Sequence, residues 1–310
     1  MTTTDPQQTI TAVDPGILDN VCRTLQVTPE EVGPFVPMLD GMTNTTYRFS
    51  ARDQEYVYRD PAPDTKGVID RRSEAEAELI AVELGLDTTV VHVDPDHGWK
   101  ISRFVEVSGP FDYHNPEHVA EAMRLVRKLH TSGSTIRGGF DFFEGYGQYL
   151  PPLLQPGAME AGQRADFPDF DLMREMAATL KKLTEADGIG KILCHGDFFG
   201  LNILVQGDRM DLIDWEYSGM SDYGYDMGTF IIGSDYNFDQ SVEAFAVYFQ
   251  DTPTPEQLRH CVAHVSIVGY HWWIWALYKD SIGTPPGDYT YLWYEFAKEY
   301  GLRALKMYES

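Results

Sequence analysis

The chain has 310 residues, 43% of them hydrophobic, which is enough for a two-domain globular protein with a sizeable core. Its 48 acidic and 24 basic residues give a net charge of −24, which argues against nucleic-acid binding and fits either simple solubility or attraction of a cationic partner. We see no signal sequence, no apolar run long enough to span a membrane and no disulfide or metal-ligand spacing among three cysteines, and we therefore expect a cytoplasmic protein of unspecified oligomeric state.

The N-terminal third is predicted to form a sheet with one inserted helix. Residues 1–15 are expected to be a disordered lead-in, followed by a short helix over 17–25. The four predicted strands cover residues 45–50, 55–59, 90–93 and 99–104. Residues 70–84 have helical spacing and end at Gly85. Short strands with one helix between them indicate an antiparallel sheet lobe, which we place at residues 16–106.

The remaining residues, 107–310, are predicted to form a mainly helical lobe. Helix starts are indicated at Asn115-Pro116-Glu117 and at Pro168-Asp169, where a capping residue or proline precedes an acidic or amphipathic turn. A hairpin turn is predicted at 206–208, a long apolar helix at 254–278 and a final helix at 291–307. The sequence therefore predicts an α+β fold with two lobes.

Asp197, Asn202 and Asp214 form the strongest functional signal in the chain. They follow a predicted loop, strand, turn and strand that can bring all three to one rim, and four residues separate Asp197 from Asn202, as in the catalytic loop of kinases. Phosphoryl transfer from a magnesium nucleotide needs one carboxylate to orient the acceptor hydroxyl and oxygen ligands to hold the metal. We assign the first role to Asp197 and metal binding to Asn202 and Asp214, with the nucleotide in the cleft between lobes.

Two neighbours of these residues have alternative interpretations. His195 either packs the loop and bonds a backbone carbonyl or takes part in acid–base chemistry. Glu216 either contributes to the site, through a water on a metal or through the substrate, or is a solvent-exposed carboxylate at a strand end.

Residues suited to phosphate binding occur in the sheet lobe. The segment Asp40-Gly41-Met42-Thr43-Asn44-Thr45 can wrap phosphates with its amides and the Thr43 hydroxyl, or can be an ordinary turn. Arg59 lies on a predicted strand where kinases place a phosphate-binding lysine. Glu74 is the expected ion-pair partner of Arg59, and Glu76 and Glu78 are alternatives. One of these three glutamates is expected to face solvent.

The third group is aromatic and lies near the C-terminus. Trp272 and Trp275 are three residues apart on one helix face, and Tyr289 follows in the next aromatic run. Aromatic residues at helical spacing usually form a core, but three tryptophans within four positions can also form a box for a quaternary ammonium ion. The residues alone leave both interpretations open.

Taken together, these motifs resemble those of the choline and ethanolamine kinases, especially the bacterial choline kinases, within the aminoglycoside-phosphotransferase-like, protein-kinase-like superfamily. The resemblance covers about residues 17–300 and is carried by several segments, namely His195-Gly196-Asp197 to Asn202, Ile213 to Gly219, Tyr225-Asp226-Met227-Gly228, Gly41 to Asn44, Tyr58-Arg59, Arg71 to Glu74 and Trp272 to Trp275.

The resemblance implies a set of site residues. It places the phosphate loop at Gly41 to Asn44, the adenine-contacting hinge at Arg103, Phe104 and Val105, and the choline pocket at the tryptophans. A family glutamate that helps to hold the cation is expected shortly after Gly228, and Asp235 is the nearest substitute in this sequence.

Three functional hypotheses follow. The first is an ATP- and Mg²⁺-dependent kinase for choline, ethanolamine or a related small cationic alcohol, with Arg59 and Glu74 at the phosphates and Trp272, Trp275, Tyr289 and Asp235 around the cation. The second keeps the chemistry but acts on an aminoglycoside, thiamine or another amine. The third is a catalytically silent amine-binding protein, which the complete set of Asp197, Asn202 and Asp214 argues against.

Overall fold

The computed structural model describes residues 13–38, 44–66, 69–140, 149–153 and 166–309. The chain divides into two compact units, the first from Met1–Gly109 with Val205–Asp211 and the second from Pro110–Leu204 with Leu212–Ser310. Most of the predicted N-terminal lead-in lies outside the described residues, and the first helix begins at Pro15. Among the described residues, no helix is both long enough and apolar enough to span a membrane.

The first unit is built on a five-stranded antiparallel sheet. Its strands are β1 (Val36–Met38), β2 (Thr45–Ala51), β3 (Gln54–Asp60), β4 (Val90–Val93) and β5 (Lys100–Arg103). They lie in the order β1-β2-β3-β5-β4, so that β3 occupies the centre and pairs with both β2 and β5. The four predicted strands are confirmed, and β1, three residues long with a central proline, has too little pattern to be recognised from sequence.

Helices α1 (Pro15–Leu25) and α2 (Arg71–Glu83) complete this unit. The side chain of Asp70 caps α2 by accepting hydrogen bonds from the amides of Arg72 and Ser73. The helix is followed by Gly85, whose φ of 65° suits glycine, as predicted. Glu74 and Glu78 are one turn apart on α2, and both are buried on the same face.

The core of the first unit joins α1 to the sheet. Tyr58 on β3 stacks on Trp99 with 5.8 Å between ring centroids, and Phe35 stacks on Phe49. The buried cluster contains Ile17, Val21, Phe35, Phe49, Ala51, Tyr58, Trp99 and Ile101. This packing fixes β3 and β5, the strands that carry Arg59 and Lys100.

The second unit is mainly helical, as predicted. Its helices are α3 (Pro116–His130), α4 (Leu150–Leu153), α5 (Phe170–Ala186), α6 (Tyr223–Ile232), α7 (Phe238–Phe249), α8 (Pro255–Ser281) and α9 (Tyr289–Glu309). The long helix α8 packs against α5, α6 and α9. Sequence periodicity missed α6 because nearly every residue of that helix is buried, which leaves no amphipathic pattern.

Short strands frame the segment that carries Asp197. Strand β6 (Ile192–Cys194) pairs antiparallel with β9 (Gly219–Ser221). Strands β7 (Ile203–Gln206) and β8 (Arg209–Leu212) form the predicted hairpin. Residues Val205–Asp211 of this hairpin group with the first unit, although the sequence placed them in the C-terminal lobe.

Candidate active site

The loop that carries Asp197 is fixed at its start by a buried carboxylate on α6. Asp226 accepts hydrogen bonds of 2.8 Å from the backbone amides of His195 and Gly196, and a third of 2.9 Å from Nε2 of His130. Burial alone raises the pKa of Asp226, but the hydrogen bond and positive charge of His130 outweigh it and lower the pKa below its ordinary value. The ionised carboxylate therefore holds the backbone of the loop.

His195 uses both of its ring nitrogens within the loop. Nδ1 accepts a hydrogen bond from the amide of Asp197 at 3.2 Å, and Nε2 donates to the carbonyl of Ile213 at 3.0 Å. The ring also packs against Trp215, with 4.5 Å between centroids. A ring in this arrangement is neutral and has no nitrogen left for proton transfer. This arrangement favours the first of the two interpretations from sequence, in which His195 packs the loop and bonds a backbone carbonyl.

Asp197 and Asn202 are joined directly. The side-chain nitrogen Nδ2 of Asn202 donates to the backbone carbonyl oxygen of Asp197 at 3.0 Å and to its carboxylate at 2.8 Å. Burial and the neighbouring carboxylate of Asp214 raise the pKa of Asp197 to about 7, although the hydrogen bond from Asn202 opposes them. The structure thus brings all three predicted residues together.

Asn202 and Asp214 provide suitable oxygen ligands for Mg²⁺. Because the side-chain NH₂ group of Asn202 donates a hydrogen bond to Asp197, the side-chain oxygen of Asn202 is the atom that can bind a cation. The segments that carry these two residues are joined by a 2.9 Å hydrogen bond from the backbone amide of Ile213, which precedes Asp214, to the backbone carbonyl of Asn202. Asp214 has a φ of 66°, an uncommon conformation for a residue other than glycine, and such strain often marks functional positions.

Glu216 is buried, with only 4% of its surface exposed. The interpretation of this residue as a solvent-exposed strand-end carboxylate is therefore wrong. Its charge contributes to the raised pKa of Asp197. The next residue, Tyr217, packs edge-on against Trp272 with 5.6 Å between centroids. The segment after Asp214 therefore connects the loop to the tryptophans.

The aromatic cluster consists of five side chains from this segment and from α8 and α9. Its members are Tyr217, Trp272, Trp275, Tyr289 and Trp293. Trp272 lies 5.5 Å from Trp275 and 5.6 Å from Trp293, and Tyr289 stacks on Trp293 at 5.3 Å. Tyr289 also contacts Phe199, two residues after Asp197. The sequence predicted Trp272, Trp275 and Tyr289 as cation-binding residues and includes Trp293 in the same aromatic run, but it did not place Tyr217 in this group.

The three tryptophans on α8 have different surroundings. The ammonium group of Lys279 lies 5.6 Å from the ring centroid of Trp275. Trp273, by contrast, packs against Phe167 and Phe170 and is fully buried. All three tryptophans of α8 are buried; Trp273 packs with Phe167 and Phe170, whereas Trp272 and Trp275 pack in the aromatic cluster.

Asp235 lies at the surface. Its side chain is 78% exposed, and its carboxylate lies 2.7 Å from Nε2 of His114. Glu216, which precedes the cluster residue Tyr217 in the chain, is buried. That Asp235 replaces the family glutamate stays a prediction.

The phosphate-binding pair expected in the first unit is formed. Arg59 makes an ion pair with Glu74, and Arg71 donates to the other oxygen of Glu74 at 2.7 Å. Glu76 is exposed, as one of the three rivals was expected to be. Glu78 instead pairs with Lys100 at 2.7 Å, and Lys100 is the cross-strand partner of Arg59. Two buried ion pairs thus lie side by side under the sheet.

The other predicted nucleotide contacts have mixed outcomes. Thr43 lies outside the described residues, and the side chain of Asn44 accepts a hydrogen bond from the amide of Ala62. The backbone amide of Arg103 donates a hydrogen bond to the carbonyl of Thr89, and that of Phe104 donates to the carbonyl of Glu55. Neither amide can therefore donate to a purine. Within the described residues, the backbone of Val105 makes no such bond and can serve a purine edge.

Comparisons with known proteins agree with this geometry. The model of the family described as "Phosphotransferase enzyme family" matches residues 35–261. Protein LicA of Haemophilus influenzae is 26% identical over 282 residues, covering 84% of this chain and 80% of that protein.

Solved structures extend the likeness to the fold. A choline/ethanolamine kinase family protein from Mesorhizobium loti is 26% identical with a TM-score of 0.69, and the match covers 95% of this chain and 95% of that one. A structure of LicA in complex with AMP is 22% identical with a TM-score of 0.75, over 93% of this chain and 97% of that one. The predicted α+β, protein-kinase-like fold is confirmed.

Proposed function

Because this chain belongs to the phosphotransferase enzyme family, we propose that it transfers the terminal phosphoryl group of ATP to the hydroxyl of choline or a related small amino alcohol. The observation that carries the proposal is the contact between the loop of Asp197 and the aromatic cluster, through Phe199 to Tyr289 and through Tyr217 to Trp272. These contacts support an acceptor site beside Asp197, the residue that activates the acceptor in this proposal. The similarity to a choline/ethanolamine kinase family protein supports the same acceptor class.

Asp197 orients the acceptor hydroxyl and accepts its proton as the phosphoryl group is transferred. Without a metal ion, burial and Asp214 raise the pKa of Asp197 to about 7; Mg²⁺ on Asp214 would lower that pKa and so favour the ionised carboxylate that accepts a proton. The hydrogen bond from Asn202 fixes the direction of the carboxylate. His195 and Asp226 hold the backbone of the loop and do not contact the acceptor.

Asn202 and Asp214 would hold Mg²⁺ through hard oxygen atoms. The ion, when bound, neutralises charge on the phosphates during transfer. Arg59, held by Glu74, binds phosphate oxygens with its guanidinium, and Val105 offers its backbone to the adenine. A solved relative bound to AMP supports nucleotide binding. A reaction that consumes ATP suits the cytoplasm, where we propose that the protein acts.

The aromatic cluster binds the cationic end of the acceptor. The buried rings of Trp272, Trp275 and Trp293 would each contribute roughly 0.5–2 kcal/mol to holding a desolvated cation, and Glu216 adds a buried negative charge near Tyr217. Aromatic faces favour a methylated ammonium, which is weakly hydrated, over a primary amine. We therefore expect choline to be preferred over ethanolamine.

A coupled assay of ADP release tests the proposal. Choline, its mono- and dimethyl analogues, ethanolamine, thiamine and an aminoglycoside would be compared at saturating Mg²⁺ and ATP. We expect kcat/KM to rise with each methyl group on the ammonium. Absence of ADP release with every amino alcohol contradicts the proposal, and turnover of the aminoglycoside alone would assign the site to polycationic acceptors.

A further inference from the structure

A cluster of two histidines and one aspartate lies where α6 begins, and the proposed reaction does not use it. Asp222 is the N-cap residue of α6, and His260 and His264 are one turn apart on α8. Oδ1 of Asp222 lies 3.0 Å from Nε2 of His260, and Oδ2 lies 3.4 Å from Nε2 of His264. The three side chains thus present one atom each within 4.8 Å of one another.

The other nitrogen of each ring is already held by an oxygen acceptor. Nδ1 of His260 lies 2.9 Å from a carboxylate oxygen of Asp187, and Nδ1 of His264 lies 3.0 Å from the carbonyl oxygen of His260. Metal-binding histidines are oriented in this way, with the second nitrogen donating to a carboxylate or a backbone carbonyl. The arrangement leaves both Nε2 atoms directed to Asp222.

All four ring nitrogens therefore face oxygen atoms. A neutral imidazole carries one proton. When that proton is on Nδ1, Nε2 carries only a lone pair and faces a carboxylate oxygen with no positive group between them. Two extra protons or one divalent cation would satisfy both Nε2 atoms with the same charge. Arg259 and the hydroxyl of Tyr308 donate to Asp187 from the other side, which stabilises that carboxylate.

The ligand atoms are close enough to share one ion. One ligand atom of each side chain lies within 4.8 Å of the other two, and the separations from Asp222 are 3.0 Å (Oδ1 to His260) and 3.4 Å (Oδ2 to His264). Bonds of about 2.0–2.1 Å place neighbouring ligand atoms of a tetrahedral Zn²⁺ roughly 3.3 Å apart. Imidazole nitrogens favour Zn²⁺ over Mg²⁺. A cavity of about 220 Å³ is lined in part by Asp187, Tyr223 and His260, and so reaches one of the three proposed ligands.

We propose that Asp222, His260 and His264 bind a Zn²⁺ ion, which displaces the protons from both Nε2 atoms into solvent. Gly224 makes room for this arrangement, because a Cβ atom there would lie 2.5 Å from Nδ1 of His264. The ion joins the start of α6 to α8. Since α6 also carries Asp226, the same ion stabilises the helix that holds the catalytic loop.

Cobalt(II) titration of the tag-free, metal-depleted full-length protein tests this site. We expect the intense visible absorption of tetrahedral Co²⁺ to saturate at one equivalent, and to be removed by Zn²⁺ but not by millimolar Mg²⁺. His260→Gln and His264→Gln should lose the signal. His97→Gln, a matched change at a histidine with a 77% exposed side chain, should retain it. No tetrahedral spectrum in the wild-type protein, or an unchanged one in both cluster variants, overturns the proposal.

A further variant leaves the proposed ligands intact, in case the cluster variants do not fold. Asp187→Asn weakens the acceptor of His260, so we expect Co²⁺ affinity to fall about 10- to 100-fold. Unchanged affinity in Asp187→Asn contradicts the arrangement described. Zn²⁺ should also raise the Tm of wild-type protein and of His97→Gln. These readouts need no acceptor, so they remain informative even if no amino alcohol is phosphorylated.

Discussion

Asp226, on α6, accepts a 2.8 Å hydrogen bond from the backbone amide of His195, at the start of the loop that carries Asp197. The same carboxylate binds the amide of Gly196 and the ring of His130, so that three donors converge on one buried charge. The loop is therefore held by a residue that follows Asp197 by almost thirty positions in the chain.

Asp226→Asn is expected to weaken both the loop and the fold. An amide has one acceptor oxygen, and its NH₂ group would face a backbone donor. Since an unsatisfied buried group costs about 1–3 kcal/mol, the free energy of unfolding should fall by about that amount, and kcat should fall with it. Urea denaturation and steady-state kinetics measure the two effects. Asp239→Asn, an exposed residue in the first turn of α7, is the matched control, and equal losses in both variants would contradict the role of Asp226.

Asp197→Ala should abolish turnover while leaving ATP binding nearly intact. The variant removes the carboxylate that orients the acceptor but keeps Arg59 and Glu74, which bind phosphate in our proposal. A loss of about 10²–10⁴ in kcat is expected from removing a general base. Calorimetry with ATP and Mg²⁺ gives the binding side of the comparison. Turnover at the wild-type rate would remove Asp197 from the mechanism.

Trp272→Leu and Trp275→Leu should impair acceptor binding selectively. Loss of one ring face that contributes about 1 kcal/mol raises the KM for choline about fivefold, with a smaller effect on ATP. Trp273→Leu is the matched control on the same helix, because Trp273 packs in the core against Phe167 and Phe170. That control should lower the Tm without changing the KM for choline. A rise in KM shared equally by all three variants would argue against the aromatic cluster as the acceptor site.

Glu78→Gln should change how stability depends on pH. Complete burial raises the pKa of Glu78 despite its ion pair with Lys100. A carboxyl whose pKa is raised in the folded state binds its proton more tightly there than in the unfolded state. Its contribution to the free energy of unfolding is therefore greatest below the ordinary pKa of 4.5 and declines as the pH rises through the raised pKa. The Tm of Glu78→Gln relative to wild type should therefore increase from pH 5 to pH 8. Glu76→Gln, exposed on the same helix, should follow wild type, and a relative Tm of Glu78→Gln that falls over this range contradicts the prediction.

Local patterns were sufficient to predict many elements of this fold. The cap at Asn115, the glycine after α2 and the turn between β7 and β8 act through contacts within a few residues, so they are readable from sequence. The spacing of Asp197, Asn202 and Asp214 is equally local, because two short strands bring these residues together. Helix α6 was missed because it is buried on all sides.

The sequence by itself determined the class of reaction, since the residues for phosphoryl transfer lie on one short segment whose local turns bring them together. Only the tertiary structure decided which residues surround them. It buried Glu216, paired Asp235 with His114 on the surface, and packed Trp273 against Phe167 but Trp272 and Trp275 into the aromatic cluster. The physical reason is that burial and long-range contacts depend on how α8 packs against α6 and α9, and spacing along one helix does not specify which neighbour covers each face.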